Sequence, residues 1–165
     1  MNREEFTEQI RQELPRLRKF LLAACSGNRD EADDVAQEAL LKAYTAAVHE
    51  SAFRDGTNFS AWLFRITYNC LLSHQRRRRR EGVQTDVMDL HDMAAASSSD
   101  DAFRYQHLYR AIEGLSAAER TAVLLFYMED RPIREIAMLM DTHEGTVKSL
   151  LSRGREHLRR LLSEK

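Results

Sequence analysis

IREIAMLMDTHEGTVKSLLSRGREHLRRLL, residues 133–162, is the stretch that decides how the chain is read. Its apolar spacing predicts a short helix with Ile133, Ile136, Ala137 and Met140 turned inward. Asp141-Thr142-His143 has the composition of a turn. A longer helix follows from about Glu144. Projected at about 100° per residue, Val147, Leu150, Leu151, Gly154, Leu158, Leu161 and Leu162 share roughly one third of its circumference. Lys148, Ser149, Ser152, Arg153, Glu156 and Arg159 take the other side. Glycine on the buried stripe costs about 1 kcal/mol of helix propensity, and close approach of a second helix at Gly154 would account for it. A short helix, a tight turn and a second helix with a basic, hydroxyl-rich outer face match the helix-turn-helix arrangement. In that arrangement the first half of the second helix enters the major groove of DNA. Arg153 or Lys148 can then donate to guanine acceptors, and Ser149 and Ser152 can bond to bases or phosphates. A helical hairpin with a charged outer face fits the same residues.

Upstream, Ser116 with Glu119 three residues later is a capping box opening a helix whose core is Val123, Leu124, Leu125 and Tyr127. Asp130-Arg131-Pro132 ends it. Phe103–Leu115 is predicted as the helix before, with Phe103, His107, Leu108, Ala111 and Ile112 inward. Residues 82–102 differ in character, with little apolar periodicity and a run from Ser97 to Asp101. They read as a linker, mostly extended or disordered in the free chain. The expected fold is therefore all-α: two small helical domains, 1–81 and 103–165, joined by a flexible acidic linker at 82–102, with the helix-turn-helix in the second.

In the first half, Phe6, Ile10, Leu14, Leu17, Leu21 and Leu22 fit a helix with one buried face, which Pro15 is expected to break or kink. Asp30 is a candidate N-cap for the next helix, at 31–48, where Ala32, Val35, Ala36, Ala39, Leu40, Ala43 and Ala47 line one side. Its other side carries Asp34, Gln37, Glu38 and Leu41. A large apolar Leu41 amid polar neighbours is explained by a partner surface, or is a singly exposed leucine that needs no explanation. Phe53–Phe59 is a loop with turn chemistry at Asp55-Gly56, and Ser60 is the expected cap of a helix to about Arg80. Leu63, Ile66 and Cys70 form that helix's inner stripe. Trp62, Arg65, Asn69 and Arg76 form another, able to stack on bases and pair with phosphates.

The formal net charge of −1 hides a segregated distribution. Residues 54–81 hold seven Arg and two acids, 82–103 five Asp and no Lys or Arg, and 145–165 six Lys or Arg and two Glu. Two basic patches flanking an acidic spacer point to two contacts with a polyanion. Cys25 and Cys70 are isolated, without zinc spacing, and read as reduced core residues. No signal peptide and no membrane span is evident, so no membrane insertion and a cytoplasmic location are expected. The chain shows no nucleophile–base set, no phosphate loop and no metal cluster, so it is not read as an enzyme, and no cofactor or metal is expected.

Taken together these stretches resemble the extracytoplasmic-function (ECF) sigma factors of the sigma-70 family, which keep only regions 2 and 4. The likeness runs from about residue 10 to 162. Asp34-Val-Ala-Gln37-Glu38-Ala-Leu40 resembles the family's DxxQExF-type segment, with Leu40 in the aromatic's place. Phe53 to Asn69 resembles its second block, and Gly145 to Arg155 its GTVxSRLxRAR signature, with Leu150 where the family has Arg.

The resemblance implies a sigma factor that binds RNA polymerase core and directs promoter recognition, DNA melting and initiation. It implies that Asp34, Gln37, Glu38 and Leu41 dock on the β′ clamp helices, with the β flap as a further polymerase contact. Arg54, Asn58 and Phe59 would capture a base flipped from the −10 element, a step costing a few kcal/mol. Trp62, Arg65, Asn69 and Arg76 would hold the opened strand. Thr146, Lys148, Ser149, Ser152 and Arg153 would read the −35 element of promoter DNA. An anti-sigma factor is a further implied partner. The rival reading is a helix-turn-helix regulator of another family that acts without replacing sigma.

Overall fold

The computed structural model describes residues 1–54, 56–81 and 106–163, without the side chain of Gln106. Every regular element among them is helical, and the helices form two domains. The first holds α1 (Arg3–Ala24), α2 (Arg29–Tyr44) and α3 (Phe59–Arg80). The second holds α4 (Gln106–Glu113), α5 (Ala117–Val123), α6 (Ile133–Leu139) and α7 (Glu144–Ser163). The segment read as a linker, and Phe103, lie outside the described residues.

Helix starts follow side-chain chemistry, in two places two residues before where the sequence reading set them. Asn2 and Glu5 form a capping box at α1. Asn28 rather than Asp30 caps α2, its Oδ1 accepting from the Glu31 amide at 3.1 Å. Asn58 rather than Ser60 caps α3, accepting from the Ala61 amide at 3.1 Å. A capping residue must keep extended backbone, as Asn28 and Asn58 do, whereas Asp30 and Ser60 are already helical. The Ser116–Glu119 capping box stands as read.

Pro15 does not break α1, which runs on to Ala24. The lost bond leaves the Arg11 carbonyl without its amide donor, but both residues are exposed, so water can serve it. Packing of Leu17, Phe20 and Leu21 carries the helix past the proline.

Both α2 and α5 end in a wider π turn, Thr45–His49 and Leu124–Met128. The amides of Glu50 and Glu129 donate five residues back, to Thr45 at 3.0 Å and Leu124 at 3.2 Å. Ser51 and Asp130 then take positive φ, 51° and 52°, and turn the chain away. The extra residue shifts the helical phase, which corrects one core expectation: Tyr127 is half exposed, and its hydroxyl accepts from Arg155 at 3.1 Å. His107 is also exposed. Close contact of α4 with α7 is made at its far end, where Gly114 abuts Leu161, while His107 lies at its start.

One apolar cluster runs through both domains; in the first it joins Leu17, Phe20 and Leu21 of α1, Val35, Ala39 and Ala43 of α2 and Leu63, Cys70 and Leu71 of α3. Alanines along α2 let its neighbours come close. In the second domain the same cluster takes in Ile112, Leu115, Val123, Leu125, Ile136, Val147 and Leu151. Gly154 allows α7 to approach α5, since a Cβ there would stand 2.8 Å from Val123 Cγ2. Beside it, His157 Nδ1 lies 2.9 Å from Glu119 Oε1. Burial pushes the Glu119 carboxyl up, but hydrogen bonds from His157 and Ser116 outweigh it and hold it below its ordinary value.

The domains touch along α1 and α3. α1 packs on α5 and its π turn, and α3 packs on α6. Cys25 and Cys70 are buried and unbonded, and burial pushes both thiols up, away from the reactive thiolate.

Candidate nucleic-acid interface

The outer side of α2 presents Asp34, Gln37 and Leu41 to solvent, Leu41 being 68% exposed. Burial of Ala32, Val35, Ala36, Ala39 and Ala43 on the opposite side fixes that orientation. Glu38 is half-buried and occupied: Lys42 lies 3.2 Å from one of its oxygens and Arg77 of α3 3.3 Å from the other. The acidic stripe is therefore tied to the basic end of α3. There Ser73, Arg76, Arg77, Arg79 and Arg80 surround a cavity of about 640 Å³ beside Glu38.

The loop ahead of α3 is anchored by aromatic edges. Phe59 is buried, with ring centroids of Phe6, Phe53 and Trp62 at 6.1, 5.6 and 5.7 Å. Phe53 also meets Trp62 at 5.2 Å. Phe59 thus supports the loop from beneath, while Arg54 and Asn58 are exposed. The Asn58 carbonyl oxygen is spent on the helix cap, leaving its amide NH₂. The Thr57 amide donates to the Arg54 carbonyl at 3.1 Å, closing a turn in which Gly56 takes φ 88°, where a side chain would be strained. Between this turn and α1 lies a cavity of about 460 Å³, walled by Gln9, Glu13, Phe53, Gly56, Thr57 and Asn58. Arg65, Asn69 and Arg76 are exposed along α3 and Trp62 is half-buried at their head.

On α7 the division is sharper. Val147, Leu150, Leu151 and Gly154 are buried, and Thr146, Lys148, Ser149, Ser152 and Arg153 are all exposed. Arg153 makes only a long bond from Nε to the Ser149 carbonyl, 3.4 Å, on its own helix. Leu150 is 8% exposed, which explains how an apolar residue can stand in the signature's Arg position. The Thr142 amide donates to the Ala137 carbonyl at 2.9 Å, and Asp141 takes φ 53°, which makes the tight turn between α6 and α7.

Comparison with known proteins fits this geometry. Residues 9–81 match the family described as Sigma-70 region 2, and residues 105–158 match Sigma-70, region 4. The ECF RNA polymerase sigma factor EcfG of Rhodopseudomonas palustris (strain TIE-1) is 31% identical over 160 residues, covering 94% of this chain and 86% of its own. The chain belongs to the ECF sigma factors of the sigma-70 family. SigW of Bacillus subtilis (strain 168), another ECF sigma factor, is 31% identical over 84% of this chain and 79% of its own. Among solved structures, the sigma factor RpoE in complex with the anti-sigma factor NepR from Bartonella quintana superposes with a TM-score of 0.79 at 28% identity, over 98% of this chain and 99% of that one.

Sequence reasoning missed three arginines. Arg131 is 6% exposed and Arg120 and Arg16 also cross between the domains. Arginine in a turn before proline carries no periodic signal, so only the fold reveals it. Among the described residues no cluster of three His, Cys, Asp or Glu could hold a metal ion, and no helix is long and apolar enough to cross a membrane.

Proposed function

We propose that this ECF sigma factor joins RNA polymerase core through α2 and positions it on promoters through α3, the loop before it, and α7. The observation that carries the proposal is that three polar faces, on α2, α3 and α7, lie outside the apolar core. One is acidic with an exposed leucine, and the others are basic and rich in amides or hydroxyls.

Asp34, Gln37, Glu38 and Leu41 dock on the β′ clamp helices. Leu41 supplies the apolar contact that charged neighbours cannot, and the β flap takes the second domain. Arg54 and Asn58 close over a base flipped from the −10 element, and the cavity of about 460 Å³ beside them has room for one. Phe59 holds this loop rather than stacking on the base. Trp62, Arg65, Asn69 and Arg76 then run the opened strand toward the arginines at the end of α3, by stacking and phosphate pairing. Thr146, Lys148, Ser149, Ser152 and Arg153 read the −35 element in the major groove. The domains divide as 1–81 for the clamp and −10 element and 103–165 for the −35 element, with 82–102 between. An anti-sigma factor controls the chain by covering these faces, as a partner of that kind binds the structural neighbour. The work is done in the cytoplasm, without catalysis by this chain.

Transcription from genomic fragments tests the proposal. Core polymerase with the purified chain should start at defined promoters that core alone does not use. A chain that adds no specific start would overturn it.

A further inference from the structure

The cavity of about 460 Å³ between α1 and the turn before α3 has two unlike walls. The turn brings Thr57 and Asn58, and the Asn58 side chain has only its NH₂ left to offer. The α1 wall brings Glu5, Gln9 and Glu13. Its two acids contrast with the exposed Arg65 and Arg76 further along α3. Carboxylates repel phosphate, so this wall keeps the sugar-phosphate backbone out and leaves the cavity to an uncharged group such as a base.

Of the three α1 side chains, Glu13 has the fixed hydrogen-bonding character. Glu5 is tied to the start of α1, its Oε2 accepting from the Asn2 amide at 3.1 Å. Gln9 can turn its amide either way. The Glu13 side chain is only 15% exposed and is held in place. Ser60 Oγ donates to its Oε2 at 2.8 Å, and Arg16 Nη1 lies 3.9 Å from the same oxygen. Arg131 in turn donates to Ser60 Oγ. A guanidinium only donates and a hydroxyl has one proton, so the Ser60 proton is directed at Glu13. Oε2 is thereby spent, and among the described residues Oε1 has no partner. Glu13 offers the cavity an acceptor and no donor.

We propose that Glu13 sets which base this cavity takes: one with an exocyclic amine, with thymine rejected. The proposal rests on the base capture given above and adds a specificity-determining residue to it. A flipped base is read along its Watson–Crick edge. Cytosine, adenine and guanine each carry there an amine that can donate to Oε1. Thymine has none, and its one N–H lies between two carbonyls whose lone pairs face the carboxylate. Thymine in the cavity would set acceptor against acceptor, and both would lose their bonds to water without return. Glu13→Gln should reverse the choice. The Ser60 proton still needs an acceptor, so the amide oxygen takes the place of Oε2 and the NH₂ takes the place of Oε1. The cavity then offers a donor, which suits a carbonyl.

The test uses the full chain bound to core polymerase and promoter DNA whose −10 segment is single-stranded, with affinity read by fluorescence anisotropy. Abasic sites placed one at a time along that segment find the captured position, where loss of the base weakens binding most. Two pairs are then compared there: cytosine with uracil, and 5-methylcytosine with thymine. Within each pair only the amine or carbonyl at C4, and the N3 proton that goes with the carbonyl, differ. Wild type should bind the amine member about 10-fold more tightly in both pairs. Glu13→Ala should bind the two members alike, and Glu13→Gln should favour the carbonyl member. Misfolding cannot produce that reversal, since a damaged chain loses both members together. Equal binding of the pairs by wild type, or an amine preference that survives in Glu13→Ala or Glu13→Gln, would overturn the role of Glu13 while leaving base capture standing. A flat abasic scan, or a chain that never joins polymerase, would instead remove the reading beneath it and the role of Glu13 with it.

Discussion

α3 and α7 are nearly equal in length, 22 and 20 residues, and both carry basic side chains. They differ in how much of their circumference is buried. The buried residues of α7 span an arc of about 100°, at about 100° per residue. Those of α3, from Phe59 and Leu63 round to Phe64 and Tyr68, span about 180°. α3 packs on α2 and also on α6 of the second domain. What is left on α3 is the other half of its circumference, with Trp62, Arg65, Asn69 and Arg76 along its middle. A helix free over most of its circumference can lie in a groove of duplex DNA, while one held over half of it offers a groove less. The contrast supports the proposal that α7 reads base edges and α3 guides opened DNA.

The comparison breaks most visibly if function does not divide between faces. Replacing Gln37, Glu38 and Leu41 together by Ala should weaken binding to core polymerase by about 3 kcal/mol, roughly 100-fold, as loss of a central anchor cluster does. Promoter choice by the residual complex should be unchanged, as initiation mapping would show. Arg153→Ala should do the reverse, reducing use of the cognate −35 element by about 1–3 kcal/mol in a promoter-variant series while polymerase binding holds. Equal loss of both functions in both variants would mean that the faces are not separate.

Smaller effects sharpen the account of how α7 is held. Gly154→Ala drives a methyl to 2.8 Å from Val123, a stiff buried side chain. Overpacking should exceed the helix-propensity gain, for a net loss of about 1 kcal/mol read as a lower melting temperature. Adding Val123→Ala should return part of it. The smallest effect is the Glu119–His157 pair. The folded carboxyl sits below its unfolded value, so its contribution is present above the ordinary carboxylate range and is lost as pH falls through the folded value. Glu119→Gln should therefore cost about 1 kcal/mol or less near neutrality. The gap from wild type should close in acid, as melting curves at several pH values would show.

The same contrast explains what was legible in the sequence. α7 packs on one side, so its pattern gave the free face and the buried stripe from Val147 to Gly154, though Leu161 and Leu162 at its end are exposed, and Gly154 foretold the close approach of α5. The Ser116 cap and the alanine side of α2 were readable for the same reason, since neighbours in sequence decide them. α3 is buried by partners from both domains, and Phe64, Thr67, Tyr68 and Leu71 escaped the single-stripe reading. Tyr127 was misplaced because a π turn has no composition of its own. Arg16, Arg120 and Arg131 were invisible because their partners lie 113, 96 and 71 positions away. Phe59 shows the limit at the candidate site: an aromatic in a loop with turn chemistry reads as a contact, but its neighbours Phe6, Phe53 and Trp62 bury it.

Gel filtration of core polymerase with the wild-type chain, with Arg153→Ala and with the Gln37, Glu38 and Leu41 variant tests the central claim most directly. Wild type and Arg153→Ala should co-elute with the enzyme, and the α2 variant should run alone. A wild-type chain that elutes apart from polymerase would contradict the account.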